Sequence, residues 1–226
     1  RPLQRRQRAA GQMLCAELLR RWANPGDRED VLSLLIEETD EGVKLSDDAI
    51  RDQVMTLLFA GHDTTTATVS FLFHELARNP RDADPERLPE LIDETLRLYP
   101  PAWVGPRRVA RDVEVCGHLV PAGVHINYCS YASHRLPDVW PDPEAFLPER
   151  FAPDAKAALP KSAYVPFGGG SRTCIGMRFG LLEIRAIATL ILARFRPRLA
   201  SGYQLEVRQM PTIGPRRGMP LLLEAR

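Results

Sequence analysis

The sequence lacks the features that mark several large classes of protein. Only four of its 226 residues are cysteines, and no two of them form a Cys-x-x-Cys pair. This scarcity argues against a structural zinc site and against the disulfide framework of a small secreted domain. No apolar run approaches the roughly 20 residues that a membrane-spanning helix needs. We therefore expect no membrane segment in this chain.

Neither sign of charge is in excess. The 30 basic and 29 acidic residues leave a formal net charge of +1, which gives no reason to expect nucleic acid as a partner. Hydrophobic residues make up 44% of the chain and charged residues 26%, as in an ordinary globular protein. Richness in Ala, Arg and Pro is typical of bacteria with GC-rich genomes and favours a cytoplasmic location. Because the chain opens on Arg1, we interpret it as the C-terminal portion of something longer.

Apolar periodicity predicts two helices near the start, over about residues 3–22 and 28–38, and a much longer central helix over about residues 46–79. Ser46 is a predicted N-cap of the central helix, and the two aspartates after it lie where the helix dipole favours carboxylates. About 33 residues at 1.5 Å each would make this helix roughly 50 Å long.

The middle of the central helix conflicts with its surroundings. Residues 60–66 read Ala-Gly-His-Asp-Thr-Thr-Thr, which places a glycine, an acid and three β-branched hydroxyl side chains where a helix favours none of them. Such conflicts often mark functional sites. Ala60, Asp63 and Thr64 share one helix face, and Gly61 leaves room for a small ligand. A hydrogen bond from Thr64 to the carbonyl of Ala60 is expected to open the helix; a kinked core helix is the alternative.

A glycine-rich segment at residues 167–176 carries the most specific signal. It reads Phe-Gly-Gly-Gly-Ser-Arg-Thr-Cys-Ile-Gly, and an amphipathic helical pattern follows over about residues 177–195. Consecutive glycines allow positive φ and close approach of the backbone to a flat group. Cys174 lies where a helix begins, so backbone N–H groups and the helix dipole favour its thiolate. A lone thiolate there suits an axial haem ligand, and Arg172 could bind a haem propionate.

Four motifs, in order, resemble those of the cytochrome P450 family. They are Ala-Gly-x-Asp-Thr-Thr at residues 60–65, Glu-x-x-Arg at 94–97, Pro-Glu-Arg-Phe at 148–151 and Phe-x-x-Gly-x-Arg-x-Cys-x-Gly at 167–176. A single cysteine would more simply be a buried structural thiol, but the complete loop pattern outweighs that interpretation. The resemblance covers nearly the whole chain.

The resemblance implies a mainly α fold with small β-sheets, of which this chain would be the C-terminal, haem-bearing part without the N-terminal helices. We expect residues 1–226 to form a single partial domain, with a Glu-x-x-Arg helix at about 89–98, strand-like runs at 107–115 and 124–128 and the cysteine loop at 166–176. The family usually has a further full helix before residue 89. Residues 81–90 are too short and polar for it, which is the largest departure from the family pattern.

The resemblance also implies which residues hold the cofactor, haem b. Cys174 would be the axial thiolate ligand of the iron. The loop residues expected to bind the haem beside it are Phe167, Gly168, Arg172 and Gly176. Arg107 resembles a second propionate-binding arginine, with Arg108 as the close alternative.

Three further groups of residues have roles implied by the resemblance. Ala60 and Gly61 would lie over the oxygen-binding face of the haem, and Asp63 and Thr64 would relay protons to the distal oxygen. A buried charge network behind the haem, interpreted as a folding element, would consist of Glu94, Arg97 and Arg150. The substrate pocket would include Trp103, Val104, Thr212 and Ile213. Ordinary core packing explains Trp103 and Val104 equally well.

The implied function is monooxygenation of a small, apolar organic substrate by dioxygen. Its electrons would come ultimately from NAD(P)H through a ferredoxin or flavodoxin-type donor. That donor would be acidic, because basic side chains surround the cysteine loop at Lys161, Arg172, Arg178 and Arg185. Two alternatives stay open: a haem-thiolate enzyme that uses peroxide or isomerises its substrate, and a non-catalytic or truncated haem-binding fragment.

Overall fold

The structure, a computed structural model, describes residues 13, 16, 17, 20, 21, 24, 30–37, 39, 40, 43–80 and 83–226. Most of the helix predicted over residues 3–22 lies outside the described residues. The chain divides into two compact units, Arg1–His62 and Asp63–Arg226. The second unit contains every candidate residue except Ala60 and Gly61.

The described residues of the first unit include a short helix and a small hairpin. Helix α1, Val31–Glu37, lies within the predicted range of 28–38. Strands β1, Thr39–Asp40, and β2, Val43–Lys44, pair antiparallel.

Helix α2, Asp47–Arg78, is the predicted central helix and continues into the second unit. Its start matches the predicted cap, since the Ser46 hydroxyl oxygen accepts a hydrogen bond from the backbone N–H of Ala49 at 3.2 Å. Every residue from Asp47 to Arg78 is α-helical. The expected opening of the helix at Thr64 is therefore absent from its secondary structure: the helical hydrogen bonds on both sides outweigh the poor local propensity.

The second unit alternates short helices with two-stranded sheets. A 3₁₀ turn at Pro85–Arg87 leads directly into α3, Leu88–Leu98. After α3 the strands are β3 Val104–Arg108, β4 Val113–Val115, β5 His118–Val120, β6 His125–Cys129, β7 Phe195–Leu199, β8 Val207–Arg208, β9 Gly214–Pro215 and β10 Leu221–Ala225. The helices are α4 Ser130–Ser133, α5 Pro153–Ala157 and α6 Met177–Leu192, with 3₁₀ turns at Pro148–Phe151 and Gly170–Arg172.

All four sheets of this unit are antiparallel pairs: β3 with β6, β4 with β5, β7 with β10, and β8 with β9. The predicted mainly α fold with small sheets is thus confirmed. The strand-like run expected from 107 to 115 is in fact divided between two different sheets. Within residues 83–90, a 3₁₀ turn leads directly into α3, and no further full helix lies there.

The core of the second unit forms where three helices pack together. Leu72 and Leu76 of α2, Leu91 of α3, and Ala188 and Leu192 of α6 are fully buried in one cluster. Side chains of this size contribute about 1.5–3 kcal/mol each when they leave water. This cluster fixes α6, and with it the loop that precedes α6.

A second, smaller cluster fixes the β8–β9 hairpin. Ile213 packs with Ala67 and Phe71 of α2, and Trp103 covers its edge. The ring of Phe71 stacks on Tyr99 with centroids 4.2 Å apart. No helix among the described residues is long and apolar enough to cross a membrane.

Candidate functional site

The loop before α6 presents a free thiol where it closes. Cys174 is exposed and has no disulfide partner among the described cysteines. Its backbone N–H donates to the carbonyl of Phe167 at 2.9 Å, which closes the loop. The carbonyl of Cys174 accepts from the N–H of Met177 at 3.3 Å, as α6 begins. The backbone of the cysteine is therefore tied down on both sides while its sulfur stays available to bond.

Two of the loop glycines have backbone conformations that other residues rarely adopt. Gly168 has φ +71° and Gly170 has φ +67°. A methyl group at Gly168 would also lie 3.1 Å from the hydroxyl oxygen of Tyr128. Gly176 has φ −83°, so its backbone does not require glycine. Glycine at positions 168 and 170 thus has a steric cause in the fold.

Tyr128 connects the cysteine loop to the β3–β6 sheet. It pairs with Gly105 across the sheet, and its ring occupies the space that a side chain at Gly105 would need. The guanidinium of Arg107 lies over the same ring, 5.2 Å from its centroid. Arg107 is therefore on the face of the sheet next to the loop. Arg108 is exposed, beside Gly123, so the geometry favours Arg107 of the two arginines.

Asp63 is held by two residues of the β8–β9 hairpin and its turn. Its carboxylate accepts hydrogen bonds from one Arg208 nitrogen at 2.8 and 3.0 Å and also from the hydroxyl of Thr212. Gly214 makes this possible, because a methyl group there would lie 3.2 Å from the Arg208 side chain. No sequence pattern pointed to Arg208, since a lone arginine in a short strand is unremarkable.

The helix after Cys174 approaches α2 beside the proposed relay residues. A methyl group at Gly180 would be 3.9 Å from the hydroxyl oxygen of Thr65. Thr64 is half-buried, and its carbonyl accepts a hydrogen bond from the Thr68 hydroxyl at 2.9 Å. The structure thus brings the Asp63–Thr64 stretch and α6 together within one unit. Ala60 and Gly61 are exposed residues of the other unit.

The Glu-x-x-Arg pair is completely buried. Arg97 donates to both carboxylate oxygens of Glu94, at 2.7 and 2.8 Å, and neither side chain is exposed. The backbone N–H of Leu147 donates to the same carboxylate at 2.8 Å. Arg150 lies 3.6 Å from Glu94 and binds the carbonyl of Asp142 at 2.9 Å. The three residues of the expected network are therefore neighbours.

The four expected pocket residues do not share one environment: two pack in the protein interior, one binds Asp63 and one is half-buried. Ile213 is 1% exposed and belongs to the small cluster on α2, with its N–H bound to the carbonyl of Pro101 at 3.0 Å. Trp103 is partly buried and donates its indole N–H to the carbonyl of Gln209 at 2.8 Å. Thr212 binds Asp63, and Val104 is half-buried. Trp103 and Ile213 thus contribute to packing, whatever else they do.

The residues of the site suit one thiolate ligand better than a metal held by several side chains. Among the described residues, no group of three or more His, Cys, Asp or Glu side chains could hold a metal ion. Cys174 offers a single sulfur beside loop glycines, with Arg107 nearby and Arg172 exposed in the same loop. One soft ligand with flanking cations fits the iron and the propionates of haem.

Comparisons with known proteins agree with this geometry. The sequence model of the family described as "Cytochrome P450" matches residues 12–84 and 86–216. The cyclooctat-9-en-7-ol 5-monooxygenase of Streptomyces melanosporofaciens is 38% identical over 214 residues, which cover 84% of this chain and 47% of that relative. The human protein named cytochrome P450 4V2 is 38% identical over 193 residues, covering 74% of this chain and 37% of that one.

A solved structure extends the likeness to the fold. Retinoic-acid-bound cyanobacterial CYP120A1 superposes with a TM-score of 0.92 and 32% identity, over 99% of this chain and 57% of that one. Fold and site together define a haem-thiolate type of protein. The chain belongs to the cytochrome P450 family. It spans about half, or less, of the length of the curated relatives it matches.

Proposed function

We propose that this chain is the haem-binding part of a monooxygenase that inserts one atom of dioxygen into a small, apolar organic molecule. The observation that carries the proposal is the free, exposed Cys174, which lies in a loop that its own backbone hydrogen bonds close. Two similar proteins support an apolar substrate, since one is named for cyclooctat-9-en-7-ol and another is described with bound retinoic acid. The composition supports a bacterial cytoplasmic location.

Cys174 would hold the haem through its sulfur, and Arg107 and Arg172 would bind the propionates. When bound, haem would supply the binding of dioxygen and the cleavage of its O–O bond, which a thiolate ligand favours. The dipole of α6 supports the anionic sulfur, because the helix begins three residues after Cys174 and points its N-terminus at the loop. Ala60, Gly61, Phe167, Gly168 and Gly176 remain predicted contacts of the cofactor and of oxygen.

Asp63 and Thr64 would deliver protons to the reacting oxygen. In this proposal the Thr64 hydroxyl gives up its proton. Asp63, one residue away, takes up a proton from solvent, passes it to the Thr64 oxygen and returns to the carboxylate form. Arg208 and Thr212 restrain that carboxylate in a fixed position. A carboxylate that is held in place loses less entropy on reaching its reactive geometry.

We propose that an acidic ferredoxin or flavodoxin-type protein delivers the electrons, which originate from NAD(P)H. Lys161, Arg172, Arg178 and Arg185 are all exposed and lie in or near the loop and helix that carry Cys174. Complementary charge steers such partners together, and salt screens the attraction. The rate of reduction should fall as ionic strength rises, and Arg178→Glu should weaken it more than Arg111→Glu, an exposed arginine before β4. A rate that ignores salt would refute this docking.

The proposal is tested by the spectrum of the reduced, carbon monoxide-bound protein. The haem-loaded protein should show the thiolate-type band, and Cys174→Ser should abolish it. Cys116→Ser is the matched control, because Cys116 is also a free, exposed cysteine but lies in the turn between β4 and β5. Absence of the band in the unmodified protein would favour the alternative, a haem-binding fragment without oxygenase activity.

Turnover separates the two remaining chemistries. NAD(P)H consumption with a reconstituted donor supports the monooxygenase. Product formation with hydrogen peroxide alone, or an isomerised product without any oxidant, would support an enzyme that needs no external electrons.

A further inference from the structure

The side chain of His134 joins two distant parts of the backbone. Its ring is completely buried at the end of helix α4. Nδ1 lies 3.2 Å from the carbonyl oxygen of Arg97, and Nε2 lies 2.9 Å from the backbone nitrogen of Val165. A carbonyl only accepts and a backbone N–H only donates, so Nδ1 carries the proton and Nε2 accepts. The two contacts therefore fix both the tautomer and the orientation of the ring.

The end of this link at Arg97 is rigid. The guanidinium uses all five of its N–H groups: two bind Glu94, and the others bind the carbonyls of His134, Pro143 and Ala145 at 2.8–3.0 Å. The carbonyl of His134 thus accepts from the guanidinium of Arg97, and the ring of His134 donates to the carbonyl of Arg97. A buried, fully satisfied network of this kind tolerates little displacement.

The other end of the link is the start of the cysteine loop. Val165 receives the His134 contact at its N–H, and its carbonyl accepts from the N–H of Gly168 at 3.1 Å. The next residue, Pro166, is buried and has no N–H to offer. Phe167 follows, and its carbonyl binds the N–H of Cys174. Only one residue, Pro166, lies between the histidine contact at Val165 and the loop-closing bond at Phe167.

We propose that His134 is a positioning residue for the cysteine loop: its ring transmits the rigid position of Arg97 to the turn at Val165, from which the Cys174 loop departs. For its spectral consequence, this inference rests on the proposed haem-thiolate function. Its structural consequence, restraint of the loop, holds with or without a cofactor.

Simple packing is the competing explanation for a buried histidine. The His134 ring does have aromatic neighbours, with centroids at 5.4 Å for Tyr164 and 6.4 Å for Trp140. Packing alone would require a side chain of the right volume, whereas a positioning role requires an acceptor at the place of Nε2. The two explanations therefore differ in which substitutions they tolerate.

Two substitutions separate these explanations. In His134→Gln, the terminal amide oxygen can take the place of Nε2 and keep the bond to Val165. In His134→Asn, the shorter amide can replace only Nδ1, so the contact with Arg97 stays and the N–H of Val165 loses its acceptor. Hydrogen exchange of peptides covering residues 163–176 reports on the loop in the haem-free protein, and peptides of α3 serve as the internal reference.

His134→Asn should accelerate exchange in residues 163–176 by about tenfold or more, because the N–H of Val165 loses the hydrogen bond that restrains the start of the loop. Exchange in α3 should change much less. His134→Gln should keep exchange of the loop within about twofold of the unmodified protein. In the haem-loaded protein, the Asn variant should lose a larger share of the thiolate-type carbonyl band than the Gln variant.

Equal loop exchange in the Asn and Gln variants would overturn the inference. It would also be overturned if the loss of the carbonyl band in each variant simply tracked the unfolding midpoint of that variant. Nitrogen NMR of the unmodified, haem-free protein needs no variant: a proton found on Nε2 of His134 would also overturn it. If the unmodified protein lacks the carbonyl band while the exchange difference is present, the proposed function fails and the positioning role of His134 stands.

Discussion

At the scale of single residues, burial decides which of the charged side chains matter. Glu94 and Arg97 are fully buried and satisfy each other through two hydrogen bonds. Glu90 and Arg87, on and just before the same helix, form a pair with the same spacing at 3.2 Å, but both are partly exposed. Both pairs join a glutamate to an arginine, so their difference in burial should set the difference in what they contribute to stability.

Glu94→Ala should destabilise the protein by about 3–5 kcal/mol, because Arg97 would remain as a buried charge without its counter-ion. Glu90→Ala is the matched control and should cost less than about 1 kcal/mol, as water screens the exposed pair. Urea unfolding curves measure both. Similar costs for the two variants would contradict the burial argument.

Thr64→Ala should raise the amount of hydrogen peroxide released per NAD(P)H consumed, because the proposed proton donor is removed. Thr66→Ala, at an exposed position two residues along the same helix, should leave that ratio unchanged. Product, peroxide and NAD(P)H are measured in the same reaction. Unchanged coupling in Thr64→Ala would refute the relay.

At the scale of elements, the cysteine loop depends on the sheet beside it. Tyr128 of β6 reaches over Gly105 of β3, and its hydroxyl lies against Gly168. Gly170 has the same left-handed backbone as Gly168, but no atom stands within 4 Å of a side chain added there. Two glycines with one conformation therefore meet different steric demands.

Gly170→Ala should cost about 1–2 kcal/mol from the left-handed backbone alone. Gly168→Ala should cost more, because the added methyl group also crowds the Tyr128 hydroxyl. Adding Tyr128→Phe to Gly168→Ala should recover part of the difference. The test is the unfolding free energy of the unmodified protein, of the two single glycine variants and of the double variant. An absence of recovery in the double variant would show that Tyr128 does not constrain the loop.

At the scale of the whole molecule, buried histidines connect stability to pH. Burial, together with the charges of Arg97 and Arg135, lowers the pKa of His134 from 6.5 to about 4. Tyr164 and the Glu94–Arg97 pair are the other titratable or charged groups near it. Burial also lowers the pKa of His74, beside Glu75 and Arg78, to about 4.

Stability should therefore fall as pH falls from about 6.5 to 4. In that window the unfolded chain binds a proton at His134 and the folded protein does not, which removes about 3 kcal/mol. The difference in unfolding free energy between the unmodified protein and His134→Gln should shrink by that amount across the window. His118→Gln, at an exposed histidine, should leave the pH dependence unchanged. A constant difference for His134→Gln would contradict the prediction.

The sequence predicted the elements well where the local signal was strong. The Ser46 cap and the stop at Asn79–Pro80 defined α2 to within a residue or two. The cysteine loop was found because its ten positions follow one pattern. The same reasoning overestimated the effect of the Thr-rich segment, since it expected an opening at Thr64 where the helix continues.

Residues that act through distant contacts gave no signal in the sequence. Arg208 lies 145 residues from Asp63, and His134 lies 37 residues from Arg97. A lone arginine or histidine follows no period, and its partner becomes apparent only when the chain has folded. The contact of Arg107 with Tyr128 likewise depends on the pairing of β3 with β6.

The sequence by itself determined the family, the free thiol and the order of the helices, because these depend on residue type and on spacing along a few turns. The tertiary structure alone decided what holds the thiol in position. Tyr128, His134 and the carbonyls that bind Arg97 come from separate segments, and only packing of the helices and sheets brings them within hydrogen-bonding distance.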